Sequence, residues 1–410
     1  MASFLAEYSD DLSRDGVGDC GLQPRKNTRL MALFGTRPET IKMAPIVAEI
    51  ARRSCVDAIV CVTAQHRDLL DQELEMFGIV PDYDLDVMRS DQTPLQVAAR
   101  ILTRLEPVLE RVRPDWLLVQ GDTTSAMAAA LTAFHCRIPV GHVEAGLRTF
   151  NNGNPFPEEA NRRMVSIVAD LHFAPTELAR CNLLREAISP EAIRVTGNTG
   201  IDAFREMARR PYNWAAGPLQ TIPRGQRLIL VTAHRRESWG EPLESICLAA
   251  RTIATSVEDV HVVFPVHPNP NVYATVWRIL GDCRNVTLLP PLDYQSFVQL
   301  IGASYLLLTD SGGLQEEAPT LGKPVLVLRD ETERPEGVVA GVARLVGTDR
   351  ERIQSEAIRL LADDAAYSQM ARSVSLYGDG RAAGRIVDAL LAATPSTPSA
   401  SPPRLTDPVH

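Results

Sequence analysis

The sequence predicts an α/β fold in which two doubly wound, parallel-sheet domains face each other across a central cleft. Three observations predict it. Short apolar runs alternate with helical patterns from about residue 29 to residue 392. Most of these runs are continuously apolar rather than alternating, as parallel strands covered on both faces are. At 410 residues the chain is too long for one ordinary core and suits two domains of roughly 180 residues each.

The candidate strands are 29–34, 58–63, 116–120, 138–143, 171–174 and 192–196, then 228–232, 261–266, 286–289, 305–309 and 324–328. The interval 203–226 holds Pro211, Trp214, Gly217 and Pro223 without strong periodicity. It is expected to link a first domain, 29–204, to a second, 205–365. The last helical pattern, 366–393, is expected to return to the first domain. Residues 1–28 are polar and acidic before turning basic at Pro24-Arg25-Lys26, which reads as a mobile extension. The Pro/Ser-rich residues 394–410 read as a disordered tail.

Hydrophobic content of 45% and charged content of 23% describe a soluble globular chain, and the net charge of −9 argues against nucleic-acid binding. An anionic ligand must therefore be met by local basic groups. Seven cysteines are scattered without CxxC pairing, and several, such as Cys61, sit in apolar stretches. Buried free thiols in a reducing cytoplasm explain them better than disulfides or zinc. With no signal-like segment and no span of about 18 apolar residues, neither export nor membrane insertion is expected.

The chemistry concentrates in turns that follow strands. Leu306-Leu307-Leu308-Thr309-Asp310-Ser311-Gly312-Gly313 reads as a buried strand feeding a helix N-terminus through a loop without bulky side chains. Free N–H groups and the helix dipole suit a phosphate there, and Ser311 can either cap the helix or bond a phosphate oxygen. After the first strand, Gly35 frees a turn that places Arg37 and Lys42 where a helix begins. These residues are either basic caps or phosphate ligands; the turn is neither GxGxxG nor a P-loop. Asp122 ends one strand and Glu144 the next, where open α/β sheets bind ligands, although Asp122 can equally cap a helix.

Pro157 suits the first position of a helix, on which Glu158 and Arg162 are spaced for an i,i+4 ion pair. Three carboxylate sites within 122–158 can divide acid and base roles. In the second half, His234 ends a strand ahead of Arg235 and Arg236, a group able to bind phosphate and move a proton. His267 ends another strand, as a turn residue or a ligand. Arg334 lies in a loop flanked by Glu333 and Glu336 and reads as a specific tether.

Taken in order, GTRPETIKMAP, TAQHR, QGDTTSA, GHVEAGLRT, PFPEEANRR, GNT, TAHRRES, PVHPNP, TDSGGLQEEAPTLGKPVLVLRDETERPEG and Leu376-Tyr377-Gly378-Asp379-Gly380 resemble the non-hydrolysing UDP-N-acetylglucosamine 2-epimerase family. The resemblance runs from about residue 29 to residue 392. It implies two Rossmann-like domains of the glycosyltransferase-B type and interconversion of UDP-N-acetylglucosamine and UDP-N-acetylmannosamine without metal or cofactor. It implies proton transfer and sugar orientation by Asp122, Glu144 and Glu158, supported by Arg162. It assigns the phosphates to His234, Arg37, Lys42, Ser311, Gly312, Gly313 and Arg334, and the ribose to Glu317. His234 is counted with the catalytic group and Phe297 with the substrate contacts. The implied protein is a cytoplasmic homodimer whose partner is a UDP-sugar. A hydrolysing 2-epimerase, a glycosyltransferase on the same fold and a non-catalytic nucleotide-sugar binder are the alternatives.

Many members of that family are activated by substrate at a second site built from Gln, Gln, Arg, Glu, Arg and His. Here Gln65, Glu158, Arg235 and His267 match, whereas Asp68 replaces the second Gln and Asp91 replaces the Arg.

Overall fold

The computed structural model describes residues 27–63, 67–89, 92–153 and 155–393. The expected tail and nearly all of the expected N-terminal extension lie outside the described residues. The first strands are β1 (Thr28–Phe34), β2 (Val56–Val62), β3 (Tyr83–Asp84), β4 (Trp116–Gln120), β5 (Val140–Val143), β6 (Leu171–Ala174) and β7 (Ile193–Val195). The later ones are β8 (Arg227–Thr232), β9 (Val260–Pro265), β10 (Val286–Leu289), β11 (Ser304–Thr309), β12 (Val325–Val327) and β13 (Ala343–Leu345). Among the described residues they form a seven-stranded sheet, β3-β2-β1-β4-β5-β6-β7, and a six-stranded sheet, β10-β9-β8-β11-β12-β13.

The β1–β4 and β8–β11 pairings are parallel, and strand order reverses at each. Ligands of open α/β sheets bind at such reversals, beyond the carboxyl ends of the strands.

Continuous apolar strands work because each sheet is covered twice. Leu30, Ala32 and Phe34 of β1 face one way, into a core shared with Leu118, Ile386, Val387 and Leu390. Met31 and Leu33 face the other way, with Leu117, Val119, Ile101 and Leu105. Each of the larger side chains among these, fully buried, contributes about 1.5–3 kcal/mol relative to exposure. The helix Ala382–Ala393, which carries Ile386 and Leu390, therefore packs on the first sheet.

Three expectations shift. The interval taken as a linker begins inside the helix Thr199–Arg209, whose Phe204 and Met207 pack with Leu228 and Leu230 of the second sheet. The pattern 366–393 is two helices, Asp364–Met370 and Ala382–Ala393, separated by the stretch 371–381. The short strands β3 and β13 carry too few apolar residues to stand out in the sequence.

Candidate active site

The first sheet presents its groups at the ends of β1, β4 and β5. Glu39 is buried and accepts from the amides of Gly35 (2.9 Å) and Thr36 (2.8 Å) and from the Thr123 hydroxyl, which fastens the β1 turn to the β4 turn. Gly35 is obligatory there, since a Cβ would stand 1.7 Å from Thr63 Oγ1.

Glu144 follows β5 in a left-handed conformation, φ +63°, which a non-glycine residue adopts only under local constraint. The constraint is visible. Lys42 Nζ donates to both carboxylate oxygens, at 2.5 and 2.7 Å. Gln120 Nε2 and Asn198 Nδ2 donate as well, the latter at 2.9 Å. Burial pushes the Glu144 carboxyl up, but Lys42 and then Arg334 outweigh it and hold the group below its usual value. Burial likewise lowers the Lys42 ammonium, and Glu144 with Glu316 more than offsets that. Both partners are therefore charged.

Asp122 follows β4. Its carboxylate pairs with Arg162, its carbonyl accepts from Asn161 Nδ2 (3.0 Å), and the preceding carbonyl of Gly121 meets His142 Nε2 at 2.8 Å. Thr123 rather than Asp122 caps the next helix, which removes the bland reading of Asp122. The i,i+4 pair between Glu158 and Arg162 does not form. Arg162 reaches instead to Asp122 and, at 3.4 Å, to Glu159. Glu159 is fully buried and accepts from the amides of Thr149 and Phe150, both at 3.0 Å. Half-buried Glu158 forms no ion pair among the described residues, and Pro157 caps the helix Glu158–Val168 rather than starting it.

The second sheet presents its groups at the ends of β8, β9 and β11. Asp310 is completely buried and accepts from the amides of His234 (2.8 Å) and Arg235 (2.9 Å) and from the Ser238 hydroxyl. His234 Nδ1 lies 3.3 Å from Asp310 Oδ1, and its ring stacks on that of His267 with centroids 5.9 Å apart. Burial and then His234 push the His267 imidazole down. Ser311 holds the N-cap position of the helix Gly312–Glu317, but its hydroxyl makes no capping bond. Arg334 Nε binds Glu316 at 2.8 Å. Burial, offset only in part by Arg334, pushes Glu316 up; burial and then Glu316 push the Glu317 carboxyl up to about 8.

Arg37 bridges the two halves: Nε sits 2.6 Å from Glu73, and Nη2 donates to the Leu292 carbonyl at 3.0 Å. Phe297 is partly buried against the second core. Of the expected second-site residues, Arg235 lies 3.9 Å from Glu333 and His267 is stacked as above. Gln65, Asp91 and the side chain of Asp68 lie outside the described residues. Asp310, Gln120, Asn198 and Glu316 belong to the site without having been singled out in the sequence. Asp310 had a signal: it directly follows the apolar strand β11, much as Asp122 stands just past β4.

The sequence profile described as UDP-N-acetylglucosamine 2-epimerase matches residues 48–391. The chain belongs to the UDP-N-acetylglucosamine 2-epimerase family. It is 52% identical over 368 residues to the UDP-N-acetylglucosamine 2-epimerase of Escherichia coli K12, covering 88% of this chain and 98% of that one. It matches the crystal structure of the Neisseria meningitidis family member bound to UDP-GlcNAc with a TM-score of 0.83 and 44% identity, covering 89% of this chain and 100% of that one. A glycotransferase of kitacinnamycin shares the fold alone, at 15% identity and a TM-score of 0.60, covering 90% of this chain and 100% of that one. The architecture is thus the glycosyltransferase-B type, two Rossmann-like domains facing a central cleft. Among the described residues no helix is long and apolar enough to cross a membrane.

Proposed function

We propose that this protein interconverts UDP-N-acetylglucosamine and UDP-N-acetylmannosamine by eliminating and re-adding UDP. A carboxylate takes the C2 proton, the C1–O bond to UDP breaks, and a C1–C2 double bond forms, giving 2-acetamidoglucal and bound UDP. UDP then re-adds at C1 while a proton reaches the other face of C2. The reading rests on one observation above all: Glu144, held ionised by Lys42, shares one polar cluster with Arg334 and Glu316, next to the Ser311-Gly312-Gly313 turn. Acid–base catalysis and fixed charge for a departing diphosphate are what the reaction needs.

In this reading Asp122, Glu144 and Glu158 divide proton removal, proton delivery and sugar orientation. Arg162 fixes Asp122. Ser311, Gly312, Gly313, Arg334, His234 and Arg37 meet the diphosphate, Glu317 meets the ribose, and Phe297 packs beside the nucleotide. Lys42 acts mainly through its bond to Glu144.

Incubation with UDP-N-acetylglucosamine alone in heavy water tests the proposal. The expected product is UDP-N-acetylmannosamine with deuterium at C2, formed without added metal or cofactor. Free N-acetylmannosamine plus UDP would assign the chain to hydrolysing chemistry instead, and retained hydrogen at C2 would exclude proton loss.

A cytoplasmic homodimer completes the reading. The six described cysteines are all free, as suits a reducing compartment. Phe134, Met164 and Ile167 are exposed on the packed helices Thr124–His135 and Glu158–Val168 and offer an apolar surface to a second copy. Sedimentation of a monomer at micromolar concentration would remove the dimer.

A further inference from the structure

The chain passes between its two halves twice, and the passages touch. The first runs from β7 into the helix Thr199–Arg209; the second joins the helices Asp364–Met370 and Ala382–Ala393. Asn198 N donates to the Tyr377 carbonyl at 2.6 Å. Gly197 and Gly378 face each other at positive φ, +89° and +148°, and a Cβ on Gly197 would stand 3.0 Å from Gly378 Cα. Any change in the angle between the halves must be absorbed near this crossing.

The Asn198 side chain sits at the crossing, 1% exposed, with each of its polar hydrogens used. Oδ1 accepts from the Gly200 amide at 2.9 Å. Nδ2 has two hydrogens. One goes to Glu144 Oε1 (2.9 Å) in the first half and the other to Glu316 Oε2 (2.5 Å) in the second. Glu316 in turn holds Arg334, whose guanidinium lies against Gly312. A continuous polar chain therefore runs from Glu144 through Asn198, Glu316 and Arg334 to the glycine turn. A neutral amide suits the middle of it, because it offers two donors to two acceptor-only carboxylates and adds no charge between them.

We propose that Asn198 is a positioning residue that ties Glu144 to Glu316, and so sets the working position of Glu144 through the contacts of the nucleotide-side turn. This inference rests on the epimerase reading above. Asn198 touches no reacting atom; it acts through Glu144. The titratable and charged groups around it are Lys42, Glu144, Glu316, Glu317, Arg334 and Tyr377, contributed by both halves.

The test is the pH profile of Asn198→Asp and Asn198→Ala beside the unaltered chain, read as the C2 exchange rate in heavy water. While protonated, the carboxyl introduced by Asn198→Asp still donates one O–H; once ionised it is a third carboxylate facing Glu144 and Glu316. The rate of Asn198→Asp relative to the unaltered chain is therefore expected to fall at least about tenfold from about pH 6 to about pH 9. Asn198→Ala loses its donors at every pH, so its relative rate is expected to be low and flat. A flat ratio for Asn198→Asp, or both variants within about twofold of the unaltered rate, overturns the proposal. If Asn198→Ala does not fold, the near-isosteric Asn198→Asp still decides the matter. Absence of C2 exchange in the unaltered chain sinks the epimerase reading instead, so the two failures are distinct.

Discussion

The Arg334 guanidinium lies directly against Gly312: a Cβ at position 312 would stand 2.8 Å from both Arg334 Cζ and Nη1. Arg334 cannot simply swing aside, because Nε is bound to Glu316 at 2.8 Å and Nη1 lies 3.5 Å from Glu333. Gly312→Ala is therefore expected to dislodge Arg334 from Glu316. UDP binding should weaken by about 1.5–3 kcal/mol, the scale of a lost hydrogen bond to a charged group. Titration calorimetry with UDP checks this; unchanged affinity would show that Arg334 does not hold the nucleotide.

Asp122 and Glu144 are held by different partners, Arg162 for the first and Lys42, Gln120 and Asn198 for the second. Asp122→Asn and Glu144→Gln keep the shape and remove the base. Each is expected to lower kcat by about 10²-fold or more while UDP affinity stays nearly unchanged. Normal turnover by both variants would dismiss the assignment.

Glu317 gives a pH signature with a definite sign. Burial and then Glu316 raise its carboxyl from 4.5 to about 8. Between these values the unfolded chain has lost a proton that the folded chain keeps, so this group makes stability fall as pH rises through the window. Below the unfolded value it imposes no such penalty. Glu317→Gln removes the effect, and its melting temperature relative to the unaltered chain is expected to climb from about pH 5 to about pH 8. A constant difference across that range would mean that Glu317 ionises normally.

Much of the fold was legible in the sequence because parallel strands covered twice must be apolar throughout, and β4, β6 and β10 stand where the apolar runs placed them. What escaped notice has local causes. Tyr83-Asp84 and Ala343-Arg344-Leu345 pair as strands without an apolar run. The apolar side of Thr199–Arg209 was hidden by the proline-rich stretch after it. Within the site, strand-end Asp122 and Glu144 announced themselves, and Arg162 and Lys42 stood out as candidates, but which cation meets which carboxylate did not show. Arg162 reaches Asp122 across 40 residues of chain, and Asn198 reaches Glu316 across 118. Helical spacing favoured the wrong partner for Arg162, since a local i,i+4 pair is all that one helix can reveal.

The last prediction concerns activation by substrate. The resembling family holds a second UDP-sugar with polar and basic groups, and here Asp68 and Asp91 stand at two of those positions. Exchanging Arg for Asp opposite a diphosphate removes a charge-assisted bond and adds repulsion, together several kcal/mol. A site of micromolar affinity rests on about 8 kcal/mol in total, so such a loss empties it at ordinary concentrations. Among the described residues, Arg89 already lies 3.3 Å from Asp86 and Arg235 lies 3.9 Å from Glu333. The enzyme is therefore expected to convert UDP-N-acetylmannosamine alone, without a lag. Initial rates in that direction, with and without a trace of UDP-N-acetylglucosamine, check the point: a strong rate increase from the trace would show that the second site survives both substitutions.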